Sequence, residues 1–193
     1  MCSPLFTPCI WQGIPVELIH NASVMGAAGC CGLHLYQFGK TVSIPFFTEG
    51  WRPTSFHPTI LYNRRGDMHT LCLLDIKVRE PDFEAMKKGR TEFLPPRYMS
   101  VNCALEQMLE AAEGSEDKAV GAYTKDTLCV GMARLGQTDE CIKAGSLEEL
   151  IKEDFGEPLH CLVLCAEDVH ELELEALDVY ILDGSIYKGS HKK

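Results

Sequence analysis

The residues Leu71-Cys72-Leu73-Leu74 run apolar without a break inside the segment His69 to Val78. A strand with one face in water alternates apolar and polar side chains, whereas a strand covered on both faces does not. The run therefore predicts a strand sandwiched between two layers, which points to a layered α/β fold. The rest of the chain alternates strand and helix signals to match. Strands are expected at Ile14 to Ile19, Thr41 to Phe47, Thr127 to Leu135 and His160 to Ala166. Helices are expected at about Val24 to Phe38, Ser55 to Asn63, Asp82 to Lys88, Ser100 to Ala112, Ser146 to Glu153 and Val169 to Leu177.

Some of these signals carry local detail. Ser100 is a good N-cap, and Val101, Ala104, Leu105, Met108 and Leu109 share one helical face. Ser146 and Glu149 have the spacing of a capping box. Gly26, Gly29 and Gly32 weaken the helix expected after Ser23, so it needs close packing against a neighbour. In the last helix, Val169, Leu172, Ala176 and Leu177 are expected to face inward. Glu167, Glu171, Glu173 and Glu175 are expected to form a solvated outer face. Pro95-Pro96-Arg97-Tyr98 reads as a stiff connector, and residues 113–118 as a polar loop.

The 193 residues are enough for a sizeable core. With 18 Lys and Arg against 28 Asp and Glu, the net charge is −10. That balance argues against a nucleic-acid or anionic-membrane partner, which would need a basic face. The apolar runs are too short to span a bilayer, and the N-terminus lacks a signal-peptide pattern. The chain is therefore read as cytoplasmic. None of its 10 cysteines forms a C-x-x-C pair. Cys72, Cys129, Cys161 and Cys165 sit in apolar runs and are expected to be buried, reduced thiols, with no metal site. Phosphate-loop, dinucleotide, zinc-protease and serine-hydrolase motifs are absent.

Three local features stand out. His20-Asn21-Ala22-Ser23 lies at a strand-to-helix junction, Arg97-Tyr98 follows two prolines, and His160 stands at the mouth of a strand. Capping, surface packing and a satisfied structural histidine explain each of them at least as well as a ligand does. The residues by themselves lead to an α/β domain with a small-ligand cleft.

Longer runs add more. Ile19-His20-Asn21-Ala22-Ser23, Gly29-Cys30-Cys31-Gly32-Leu33 and Trp51-Arg52-Pro53 occur in the order found in diphthine synthases. So do Met68-His69-Thr70-Leu71-Cys72-Leu73-Leu74-Asp75-Ile76-Lys77 and Pro95-Pro96-Arg97-Tyr98-Met99-Ser100-Val101-Asn102. Thr127-Leu128-Cys129-Val130-Gly131-Met132-Ala133-Arg134 and Gly156-Glu157-Pro158-Leu159-His160 complete the pattern. Over about residues 13–178 the chain resembles the diphthine synthase family, eukaryotic type.

The resemblance implies a tetrapyrrole-methylase-like fold of the class III methyltransferases, with two α/β domains and the cofactor in the cleft between them. It implies methyl transfer from S-adenosylmethionine, leaving S-adenosylhomocysteine. The acceptor would be the modified histidine of translation elongation factor 2, in diphthamide biosynthesis. It also implies a homodimer, with no nucleic acid and no membrane as partners. Carried over by motif, the cofactor contacts are Ser23, Val24, Leu74, Leu135 and His160; no general base is assigned.

The family's opening strand and Gly-rich loop, of the type Leu-Gly-Leu-Gly-Asp, and a later Gly-Asp-Pro segment have no counterpart here. The expected organisation is an unmatched leader over 1–12 and a remnant of the first, cofactor-binding domain over 13–40. A complete second α/β domain over 41–182 and a flexible tail over 183–193 follow. Two readings stay open, an active methyltransferase and a catalytically inactive, truncated isoform serving as an interaction or dimerisation module.

Overall fold

The computed structural model describes residues 11–14, 23–113 and 121–190. Apart from exposed Ile14, the strand expected at Ile14 to Ile19 lies outside the described residues, as does most of the polar loop after Glu113.

A five-stranded mixed sheet forms the centre. Its strands are β1 (Val42–Ile44), β2 (Thr70–Leu74), β5 (Leu128–Ala133), β6 (Cys141–Ser146) and β7 (His160–Leu164), in the order β1-β2-β7-β5-β6. β1 runs parallel to β2, and the remaining neighbours are antiparallel. A separate two-stranded ribbon pairs β3 (Ile76–Lys77) with β4 (Arg97–Tyr98).

Both faces of the sheet are covered, as the apolar run requires. On one face lie α2 (His57–Arg65), α4 (Val101–Glu113) and α5 (Leu147–Leu150), whose Ile60, Leu105, Met108 and Leu150 pack with Cys72, Leu162 and Leu164. On the other lie α1 (Val24–Ala27), the 3-10 turn Ala28–Cys31 and α6 (Glu171–Leu177), against Leu71, Val130, Cys161 and Val163. Successive residues of one strand thus feed opposite cores, so no polar position interrupts the run. The four thiols of Cys72, Cys129, Cys161 and Cys165 are free and buried, as expected. A further short helix, α3 (Phe83–Lys87), is capped by the Asp82 carboxylate, which accepts the amides of Glu84 and Ala85.

Several expectations need correction. The helix placed over Val24 to Phe38 is one α-turn, then 3-10 turns at Ala28–Cys31 and Leu35–Gln37. Gly32 ends the first stretch at φ +94°, and a Cβ there would lie 2.6 Å from the Cβ of Ala176. That position admits only glycine, which is what lets the segment press onto α6. The strand expected to reach Val78 stops at Leu74. The Asp75 amide donates to the Ile44 carbonyl, and its own carbonyl accepts from Met99, turning the chain into the ribbon. Arg97-Tyr98, expected as a connector, is the ribbon's second strand. β6 was not expected, because Lys143, Ala144 and Gly145 break any alternating pattern.

In α6 two positions depart from the expected faces, while Glu171 and Glu175 are exposed and Leu177 is buried as expected. Leu172 is 60% exposed, and Glu173 is 1% exposed. Glu173 accepts the backbone amide of His34 at 2.7 Å and the Nε2 hydrogen of His69 at 3.1 Å. Its other oxygen accepts the amide of His170, completing a capping box with the His170 ring. A buried carboxylate is tolerable when its lone pairs are filled in this way. The capping box at Ser146 and Glu149 is present as expected.

Candidate functional site

β1, β2 and β5 all finish at the same end of the sheet, and β7 starts there. Ends of strands are where α/β sheets leave crevices for ligands. Two adjoining cavities occupy this end, of about 430 and 310 Å³, and they share Val24, Leu159, His160 and Cys161 as walls. The larger is completed by Ile44, Leu73, Leu74 and Asp75. The smaller is completed by Ala27, Arg134, Leu135 and Gln137.

Four of the five residues singled out by sequence therefore meet. Val24 and His160 line both cavities, Leu74 lines the larger and Leu135 the smaller. Ser23 stands one residue away as the N-cap of α1, where its hydroxyl oxygen accepts the Met25 amide at 3.2 Å. It is exposed and does not line either cavity.

His160 has a defined internal role. Its Nδ1 accepts the backbone amide of Val101, the first residue of α4, at 3.2 Å. A ring nitrogen that accepts is unprotonated, so the hydrogen sits on Nε2. Nε2 lies 3.1 Å from the carbonyls of Gly156 and of Glu157, and donates to that pair. Both ring nitrogens are thus committed to the protein, and His160 offers a ligand its ring rather than a polar atom.

The loop before His160 is held by Arg134, which sequence reasoning passed over. Its Nη1 donates to the carbonyls of Phe155, at 2.8 Å, and of Glu157. Its Nε and Nη2 donate to the carbonyl of Asp139 at 3.1 and 2.9 Å. The Arg134 amide also binds the Leu159 carbonyl. Gly156, at φ +69°, brings its backbone up to this guanidinium, which a Cβ would approach to 3.2 Å. An arginine directly after a buried strand was the available signal.

Asp75 was passed over too, although a carboxylate ending an apolar strand is a recognisable sign. Its Oδ2 accepts the Phe46 amide at 3.1 Å and pairs with Lys77 Nζ at 3.2 Å. The thiol of Cys161 is the wrong group for a nucleophile, because burial pushes it up to about 12. Among the described residues, no group of three or more His, Cys, Asp or Glu side chains could hold a metal ion. No helix there is long and apolar enough to cross a membrane.

A third cavity, of about 440 Å³, opens at the opposite end of the sheet, where β2 and β5 begin. It is lined by a mixture of charges that includes Arg64, Asp126, Glu167 and Asp168. None of the residues singled out by sequence lies there.

No family model matches the chain. A curated protein of Homo sapiens, diphthine methyl ester synthase, is 51% identical over 169 residues, 87% of this chain and 59% of that protein. A solved structure from Entamoeba histolytica is 44% identical with a TM-score of 0.81, covering 94% of this chain and 66% of that one. A solved diphthine synthase is 30% identical with a TM-score of 0.72, covering 93% of this chain and 60% of that one. The chain spans about 60% of the length of the curated relatives it matches.

Proposed function

Starting from a chain that belongs to the diphthine synthase family, we propose an S-adenosylmethionine-dependent methyltransferase that acts on the modified histidine of translation elongation factor 2. Its place is diphthamide biosynthesis, in the cytoplasm. The observation that carries this reading is convergence. Val24, Leu74, Leu135 and His160 come from four separate stretches of sequence and line two adjoining cavities.

The walls fit an adenine nucleoside: they are mostly apolar side chains with a few polar groups among them. Val24, Leu74 and Leu135 would hold the base and sugar, Ser23 would stand beside them, and the His160 ring would close one wall. S-adenosylmethionine supplies a methyl group on a sulfonium, ready for in-line transfer. What this chain adds is position and dryness. Ile44, Leu73 and Leu74 would form an apolar wall beside the transfer region, and Arg134 fixes the loop that carries Leu159. Orientation and removal of solvent are the main contributions such a transfer needs. His160 is not a general base in this reading, since both of its nitrogens are engaged.

The test is transfer of labelled methyl from S-adenosylmethionine to elongation factor 2 that carries the 3-amino-3-carboxypropyl histidine. Incorporation by the purified chain, lost with the demethylated cofactor as competitor, is the expected result. Tight cofactor binding without incorporation would overturn the activity while leaving the site in place.

A further inference from the structure

We propose that Asp75 and Lys77 form a receptor for the zwitterionic head of an α-amino acid. The proposal rests on the methyltransferase reading only for the identity of the ligand. The receptor itself rests on geometry.

Asp75 is placed with unusual firmness. Its amide is tied to Ile44 in β1, and its carbonyl to Met99 beyond β4. Its Oδ2 takes the Phe46 amide, so the carboxylate is aimed before any ligand arrives. The side chain lines the larger cavity between apolar walls of Ile44, Leu74 and Ile76. Lys77, two residues on in β3, sets its ammonium 3.2 Å from Oδ2. Asp75 keeps 21% of its side-chain surface exposed, and Lys77 keeps 38%.

A half-exposed ion pair at the surface adds little to stability. What it does provide is one negative and one positive group side by side at the edge of an apolar cleft. The nearby guanidinium of Arg97 does not compete for this role. It lies over the Phe46 ring and is paired with Glu80 at 2.7 Å. A simple cation would be repelled by Lys77, and a simple anion by Asp75. An ammonium and a carboxylate on one carbon satisfy both, the ammonium on Asp75 and the carboxylate on Lys77.

The reaction proposed above brings such a head group twice. S-adenosylmethionine carries a 3-amino-3-carboxypropyl group on sulfur, and the modified histidine carries the same group on its ring. The shared chemistry is what the pair recognises, and experiment separates the two sources.

The first arm needs no cofactor. Amide resonances of Phe46, Asp75 and Lys77 are followed while 2-aminobutyrate is added to the whole chain, with butyrate and n-butylamine as controls. Saturable shifts with the zwitterion, much weaker with either control, are expected. Asp75→Asn and Lys77→Met should each reduce the affinity about tenfold. Equal response to the controls, or no effect of either variant in a protein of unchanged circular dichroism, overturns the receptor. The second arm titrates S-adenosylhomocysteine and 5′-methylthioadenosine, which lacks the amino-acid head. If Asp75→Asn weakens only the former, the cofactor brings the group. If it weakens neither but raises the KM for the protein acceptor, the acceptor does. If the unsubstituted chain binds neither nucleoside, the cofactor reading fails, and the 2-aminobutyrate arm still decides the receptor.

Discussion

Against one face of the sheet, α4 lays Val101, Ala104, Leu105 and Met108, each 0% exposed. Against the other, residues 24–38 bury Ala28, Cys31 and Leu33, with half-buried Phe38 packed beside them. The first face is sealed by a regular helix with a continuous apolar stripe. The second is sealed by Leu177 and Ile181 together with small residues, a left-handed glycine and a buried carboxylate that reaches back to hold a loop. The candidate site borders this second layer, since Val24 and Ala27 supply part of its wall. Cohesion on the first face is non-directional; on the second it depends on individual contacts, and the site inherits that dependence.

Single substitutions sharpen the contrast. Leu105→Ala, in the first core, should cost about 3 to 4 kcal/mol, read as a shift in urea midpoint. Its effect on nucleoside affinity should be small, because Leu105 touches neither cavity. Gly32→Ala should cost about 2 to 3 kcal/mol, from a strained backbone and the collision with Ala176. Unlike Leu105→Ala, it should also weaken nucleoside binding, because the layer that carries Val24 shifts. Equal binding losses from the two would erase the distinction between the faces.

Glu173→Gln comes next, at about 2 kcal/mol, since a donor would then oppose the amide of His170. Acid should act on the same cluster. His69 is held below its ordinary pKa, chiefly by burial, so the unfolded chain takes up its proton first. Stability from this group is full above about 6.5, the unfolded value, and declines as the pH falls below it. Hydrogen bonds from the His34 amide and His69 outweigh burial and hold Glu173 below the usual carboxylate range. Its contribution is present above the unfolded value and is lost as the pH falls through the folded one. Both signs point the same way, so the midpoint should fall from pH 7 to pH 4. Glu173→Gln should flatten the lower part of that curve, and an unchanged curve would contradict the assignment. The smallest effect is expected for His160→Ala, about 1 kcal/mol for the lost contacts to Val101 and the Gly156 loop. Its nucleoside affinity should fall more than that stability change suggests.

The same contrast governs what could be read from the residues alone. The first face was legible: Val101, Ala104, Leu105 and Met108 declare their face by spacing, and the double-sided strand is declared by Leu71 to Leu74. The second was not, because glycine and alanine have no periodic signature, and Glu173 looks like any surface carboxylate until His34 and His69 are brought to it by the fold. At the site, Leu74, Leu135 and His160 were reached through family resemblance. Arg134 and Asp75 each carry a local sign, a charge at the end of a buried strand, but their partners are backbone carbonyls and amides that only the fold brings to them.

The central claim is that a nucleoside cofactor binds at the end of the sheet where β2 stops and β7 begins. Amide shifts of the whole chain on titration with S-adenosylhomocysteine test it most directly. The account predicts saturable shifts at Val24, Leu74, Leu135 and His160, with the cavity around Arg64 and Asp168 unmoved. Shifts confined to that far cavity, or none at any concentration, would contradict it.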